Sequence, residues 1–210
     1  MNRRHFNAGT AALWLGMALA AEAKTPGVIL VVGDSLSAEY GLKRGSGWVA
    51  LLAQRLSEQK KPVAVVNASI SGDTTSGGRS RLGALLAQHK PTVVVIELGG
   101  NDALRGLPLQ TSQDNLQSMV QACLAIDAKV LLLGMQVPPN YGSDYSAQFA
   151  AMYASVAKTK GVALVPFFLK GVADVPDSEK MFQNDRIHPL EAAHPLLLNN
   201  VWPALSKLIA

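Results

Sequence analysis

Five short apolar runs punctuate the chain, at residues 28–32, 63–66, 92–98, 129–133 and 162–165. None alternates with polar residues as a half-exposed strand does, so each predicts a strand buried on both faces. Between the runs, apolar positions recur at helical spacing. Trp48, Leu51, Leu52 and Leu56 mark one helix, stopped by Lys61-Pro62. Leu82, Leu85 and Leu86 mark a second, opened by Thr74 or Thr75 and stopped by His89-Lys90-Pro91. Residues 111–126 and 145–160 read as two more. Residues 167–171 predict a short helix, and 190–208 a last one that Pro195 and Pro203 kink or interrupt. Strand and helix alternate throughout. That pattern predicts an α/β fold, with a five-stranded parallel sheet and helices on both of its faces. Right-handed crossovers leave few topologies for it.

Three of the strands run into polar, glycine-containing turns: Gly33-Asp34-Ser35, Ser71-Gly72-Asp73 and Gly100-Asn101-Asp102. In a parallel sheet all three fall at the carboxyl edge, where open α/β sheets bind ligands. Adjacent strands lie ~5 Å apart, so the turns can converge on one site. Asp185-Arg186-Ile187-His188 follows the last strand and precedes the final helix, which brings it to the same edge.

Alone, each motif has an ordinary explanation. Asp34 and Ser35 can begin a loop, Asn101 can cap a helix, Gly72 can serve a turn, and His188 can be an exposed loop residue. Together they supply what acyl transfer by a serine requires. Ser35 is the candidate nucleophile, His188 the base and Asp185 the group that orients the base. The N–H groups of Ser35 and Gly72 and the side-chain amide of Asn101 are candidate oxyanion donors. Asp34, Asp73 and Asp102 share the edge and are expected to hydrogen-bond neighbouring turns. Leu104, Leu107, Pro108 and Leu109, with Val137, Pro138 and Tyr141, are candidates to rim an acyl-chain groove. His89 is expected at the opposite end of the molecule. His194 belongs to the last helix pattern near the site, at the wrong spacing from Asp185 for a triad. The His and Asp positions lack paired metal-ligand spacing, so no metal or other cofactor is expected.

Composition narrows the picture further. A length of 210 residues suits one domain, and 49% apolar residues suffice for a continuous core. The net charge of +4 is spread along the chain rather than gathered in a stripe, which argues against a nucleic-acid partner. Cys123 is the sole cysteine, so neither an intrachain disulfide nor a cysteine metal cluster can form. Its place on an apolar helix face suits a buried, inert thiol. Residues 1–23 read as a cleavable signal peptide. Arg3 and Arg4 precede an apolar stretch at 11–21, too short to span a bilayer comfortably, and Ala21-Glu22-Ala23 sets cleavage before Lys24. Residues 24–210 are then the hydrolase domain, and the expected location is the periplasm or the medium. Export is by the Sec route or, since Arg3-Arg4-His5-Phe6 resembles a twin-arginine signal, by that one.

The four elements, in this order, resemble the SGNH-hydrolase (GDSL) superfamily, named for the residues found here as Ser35, Gly72, Asn101 and His188. The likeness extends to Asn67-Ala68-Ser69-Ile70-Ser71-Gly72-Asp73-Thr74, Glu97-Leu98-Gly99-Gly100-Asn101-Asp102, Pro139-Asn140-Tyr141-Gly142 and Asp185-Arg186-Ile187-His188-Pro189. It covers the mature chain nearly end to end. It implies a three-layer α/β/α, flavodoxin-like fold and a Ser35–His188–Asp185 triad with an oxyanion hole from Ser35, Gly72 and Asn101. It also implies esterase, thioesterase and lysophospholipase activity on small acyl substrates. A monomer is expected, able to take a lipid substrate without stable membrane insertion. Two residues depart from the resemblance. Glu39 and Arg186 stand where such proteins often carry glycine, and both are expected to put charge near the site entrance. Two competing functions share these features: a carbohydrate deacetylase of the same superfamily, and a flavodoxin-like binding module without catalysis. The intact Ser35, Asp185 and His188 speak against the second.

Overall fold

The computed structural model describes residues 27–209, so the expected leader at 1–23 lies outside the described residues. Five strands form one sheet: β1 (Gly27–Gly33), β2 (Val63–Asn67), β3 (Val93–Glu97), β4 (Lys129–Leu133) and β5 (Ala163–Val165). All pairings are parallel, in the spatial order β2-β1-β3-β4-β5. β1 is buried from Ile29 to its end, and β3 throughout. The edge strand β2 is half-buried. This gradient explains why the central runs are uniformly apolar, since helices cover both faces there.

Among the described residues six helices surround the sheet: α1 (Trp48–Glu58), α2 (Thr75–His89), α3 (Gly100–Leu104), α4 (Leu109–Leu124), α5 (Ser143–Lys160) and α6 (His194–Leu208). α1 packs with α6, while α4 packs between α2 and α5. The result is the three-layer α/β/α arrangement. The chain steps from β1 outward to β2, then back past β1 to β3. The order therefore reverses at β1, and the crevice between the carboxyl ends of β1 and β3 is the switch point where such sheets bind ligands.

Three local expectations change. Gly100–Leu104 is helical where the sequence pattern shows a polar turn. Gly99, at φ 119°, swings the chain out of β3 directly into that helix. Residues 167–171 do not form the expected helix: turns run from 168 to 171, and Gly171 takes a left-handed φ of 75°. α6 is continuous. Pro195 sits in its first turn, where a missing N–H costs nothing, and Pro203 is accommodated inside it.

α1 lacks a capping side chain from Gly47, the residue before it. The cap comes from the far end of the chain, where buried His194 Nδ1 accepts the Trp48 N–H at 3.1 Å. Burial holds the His194 imidazole below its usual pKa, which favours the neutral form that an accepting Nδ1 requires.

Asp102 ties α2, α3 and α4 together. Its buried carboxylate accepts the Thr75 N–H at 2.9 Å, the Thr75 hydroxyl at 2.5 Å and the Ser112 hydroxyl at 2.9 Å. Asn115 donates to the same Thr75 hydroxyl at 3.0 Å. Removing the acceptor strands several buried donors, each worth roughly 1–3 kcal/mol. Asp102→Ala is therefore expected to lower stability by about 3 kcal/mol. The check is the midpoint of urea denaturation, with an unchanged slope.

Candidate active site

Ser35 lies two residues beyond β1, in a turn held by its neighbours. Asp34 accepts the Ser37 and Ala38 N–H groups on its carbonyl and the Leu36 N–H on Oδ1. The turn thus wraps around a buried aspartate and leaves the serine side chain at the rim. Ser35 Oγ is 2.8 Å from His188 Nε2, and His188 Nδ1 is 2.6 Å from Asp185 Oδ2. The other oxygen of Asp185 accepts the N–H groups of Ile187 and His188 at 2.9 and 3.0 Å. Partial burial raises the Asp185 carboxyl. The His188 N–H and imidazole and the Ile187 N–H outweigh that and bring it down to about 2. The carboxylate is thus fixed and ionised where it meets the imidazole.

The loop that carries His188 is braced from several sides. Gln183 donates its backbone N–H to the His188 carbonyl at 2.7 Å, and its side-chain amide reaches the Tyr40 and Pro189 carbonyls. The Tyr40 ring covers the imidazole at 4.3 Å between centroids. Tyr40 and Gln183 carried no sequence signal, because 143 residues separate them along the chain.

The loop after β2 is pinned to β1 by the Ile70 N–H on the Gly33 carbonyl at 3.0 Å. Gly72, at φ 78°, turns within it, and Arg105 at the end of α3 donates to its carbonyl at 2.8 Å. The Ser35 and Gly72 N–H groups donate to no acceptor among the described residues. Asn101 differs. Its amide nitrogen gives one hydrogen to Asp34 Oδ2 and the other to the Asp73 carbonyl, each at 3.0 Å. Asp73 in turn is paired with Arg81 at 2.8 Å.

Glu97 is a buried carboxyl under the Ser35 turn that strand logic alone hides. It ends an apolar run and is fully buried. Its Oε2 accepts the Ser37 hydroxyl at 2.8 Å, and that hydroxyl accepts the Trp48 indole N–H at 3.1 Å. Burial raises the Asp34 carboxyl to about 6, against the Leu36 N–H and the contacts with Glu97, His188 and Asn101. Burial, followed by the Asp34 charge, pushes Glu97 well above the usual carboxylate range. A lone charged residue closing the run Val93-Val94-Val95-Ile96 was the available clue.

The candidate groove residues follow two neighbouring strands. Leu104 ends α3, and Leu107 and Pro108 lie between α3 and α4, after β3. Val137, Pro138 and Tyr141 lie after β4, around a short 3₁₀ turn at Pro139–Tyr141. Leu104 is 47% exposed, and Tyr141 stacks on Tyr145 of α5 at 5.9 Å. Two expectations need correction or addition. The Glu39 carboxylate does not face the entrance. It folds back to accept the Gly45 and Gly47 N–H groups at 2.9–3.1 Å. Arg186 is exposed in the His188 loop. Both take left-handed backbone, at φ 60° and 57°, which is the conformation glycine favours. Among the remaining groups, Cys123 is buried in α4 with its thiol pushed up to about 12 by burial. Among the described residues, no group of three or more His, Cys, Asp or Glu is arranged to hold a metal.

Comparison with known proteins agrees with this geometry in extent and kind. Residues 31–196 match the GDSL-like Lipase/Acylhydrolase family. Esterase TesA of Pseudomonas aeruginosa is 53% identical over 195 residues, which cover 93% of this chain and 96% of that one. Thioesterase 1/protease 1/lysophospholipase L1 of Escherichia coli is 41% identical, covering 86% of this chain and 84% of that one. The crystal structure of a TesA superposes with a TM-score of 0.82 at 56% identity, covering 86% of this chain and 99% of that one. By fold, by sequence and by the residues gathered at the carboxyl edge of its sheet, the chain belongs to the GDSL-like lipase/acylhydrolase family.

Proposed function

We propose that the chain is a serine hydrolase of acyl esters and thioesters, with Ser35 as nucleophile, His188 as base and Asp185 as its orienting partner. The continuous contact from Ser35 Oγ through the imidazole to Asp185, at 2.8 and 2.6 Å, carries this assignment. His188 Nε2 takes the Ser35 proton as Oγ attacks the substrate carbonyl. The Ser35 and Gly72 N–H groups receive the developing oxyanion, joined by Asn101 when the amide hydrogen now on the Asp73 carbonyl turns to it while the other stays on Asp34 Oδ2. Collapse expels the alcohol or thiol, which takes the proton back from His188, and leaves an acyl-serine. A water that gives its proton to His188 then attacks the acyl carbon, and the acid leaves as His188 returns the proton to Ser35 Oγ. Asp185 stays ionised and stabilises the imidazolium at each stage.

The rim supports an acyl chain as the group recognised. Tyr40, Ile70, Leu104 and Ile187 each expose about half of a large apolar side chain, and they come from three loops and the end of α3 at the same sheet edge. With Leu107, Pro108, Val137, Pro138 and Tyr141 they would offer an apolar track beside Ser35. Thioester and lysophospholipid substrates fit such a rim. The relatives named as an esterase and as a thioesterase and lysophospholipase support the same range. No described helix is long and apolar enough to cross a membrane. The protein would act as an exported monomer, with residues 1–23 removed and Lys24 as its first residue.

Three outcomes are expected. Ser35→Ala lowers kcat at least ~10³-fold on p-nitrophenyl esters, acyl-CoA and lysophospholipid, and abolishes labelling by a fluorophosphonate. Unchanged turnover or undiminished labelling would refute the nucleophile. Leu104→Ser and Leu107→Ser each cut kcat/KM on long-chain esters about tenfold relative to acetate esters, the loss of one or two buried methylenes. An unaltered chain-length profile would remove these residues from the groove. Intact-mass measurement of protein recovered from the periplasm gives a chain that starts at Lys24, and a full-length chain there would discard the leader.

A further inference from the structure

Beneath Ser35 lie two buried carboxyl groups that the steps above do not use. Asp34 immediately precedes the nucleophile, and Glu97 ends β3 beside it. The hydrogen-bond directions around them determine where charge can sit. An indole N–H only donates, so Ser37 accepts from Trp48 and must give its own proton to Glu97 Oε2. The Asp34 N–H also points at that oxygen, at 3.3 Å. Glu97 Oε1 is buried and has no hydrogen-bond partner among the described residues. An ionised carboxylate with one oxygen left bare in the core is strongly disfavoured, whereas a neutral acid is tolerable there. Asp34 is placed differently. Each of its oxygens receives a donor, the Leu36 N–H on Oδ1 and the Asn101 amide on Oδ2, both at 3.0 Å.

We propose that the pair holds a single proton, carried by Glu97, and that the Asp34 carboxylate is a positioning residue that keeps the Asn101 amide in its donor orientation. The inference rests on the oxyanion role given to Asn101 above. An amide can rotate by half a turn and present its oxygen instead of its nitrogen. Two acceptors prevent this, Asp34 Oδ2 and the Asp73 carbonyl, and only the first can be switched off by a proton. With Asp34 neutral, the restraint weakens and the amide oxygen can turn toward the forming oxyanion, which it would repel.

The surrounding groups leave Asp34 as the titrating member. His188 attracts its negative charge. Asp102 is committed to Thr75 and Ser112. Arg81 is paired with Asp73, with one nitrogen 3.4 Å from the Gly33 carbonyl. Tyr153 donates to the Leu98 carbonyl.

The test compares wild type, Asp34→Asn, Glu97→Gln and Glu97→Leu on a soluble p-nitrophenyl ester, with fluorophosphonate titration counting competent sites. Asp34→Asn sets one N–H against another and is expected to lose about 10²-fold in kcat with KM little changed. Glu97→Gln reproduces the neutral acid and stays within about threefold of wild type, whereas Glu97→Leu does not. The acid limb of log kcat/KM is steeper in wild type than in Asp34→Asn, because protonation of Asp34 removes activity only in the former. Infrared spectra at neutral pH show a carboxylic-acid C=O band in wild type and Asp34→Asn that is missing in Glu97→Gln. Full kcat in Asp34→Asn, or an acid limb no steeper in wild type than in Asp34→Asn, would overturn the positioning role. A C=O band that disappears with Asp34→Asn instead would place the proton on the wrong carboxyl. The spectra test the proton whether or not the ester is hydrolysed, so loss of the hydrolase assignment is read separately from loss of this one.

Discussion

The register of β1 against β3 is the constraint on which the rest of the molecule depends. It sets Gly33 opposite Glu97 at the carboxyl ends of the two central strands. A Cβ on residue 33 would stand 2.8 Å from both Glu97 Oε2 and Ser37 Oγ, so the carboxyl group and the hydroxyl fill the room that glycine leaves. From that contact the chain of bonds spreads outward, to the indole of Trp48 and to the backbone of Asp34. The turn bearing Ser35 is therefore anchored from below by polar groups, the Asn67 amide at the end of β2 among them, on the Ser37 carbonyl at 2.7 Å. Buried polar networks of this kind specify one arrangement when every donor and acceptor is matched. Here one oxygen of Glu97 is unmatched.

Most of the architecture was legible in the pattern of apolar runs. The five strands and their parallel alternation with helices followed from the lack of polar positions inside the runs. The topology then left Gly33-Asp34-Ser35, Gly72 and Asn101 at one edge. The convergence of Ser35 with His188 was readable only as an expectation, because 153 residues separate them and no local rule sets their distance. What stayed hidden has a common physical character. Tyr40 over the imidazole, Gln183 beneath the His188 loop and His194 at the start of α1 are all long-range contacts of single side chains. None leaves a periodic trace. α3 was missed for another reason: five residues containing two polar side chains and a glycine give no helical period, and Asp102, buried among hydroxyls, holds them in place.

Glu39 and Arg186 show how a departure in sequence can mislead about charge. Both occupy left-handed backbone, where a side chain other than glycine is disfavoured by about 1–2 kcal/mol. Glu39 offsets that strain by accepting N–H groups across the loop that leads into α1. Its charge is thereby spent inside the protein. Arg186 has no such bond from its side chain among the described residues, and its guanidinium remains at the surface of the loop that carries the imidazole.

The cap on α1 has a consequence for how the molecule is made. The side chain that completes the first turn of this helix is incorporated 146 residues after the helix itself begins. His188 reaches the growing chain almost as late. A polypeptide emerging amino end first can thus assemble much of its sheet while still lacking both a finished α1 and a base for Ser35. During synthesis the nucleophile stays unarmed until the final stretch has left the ribosome.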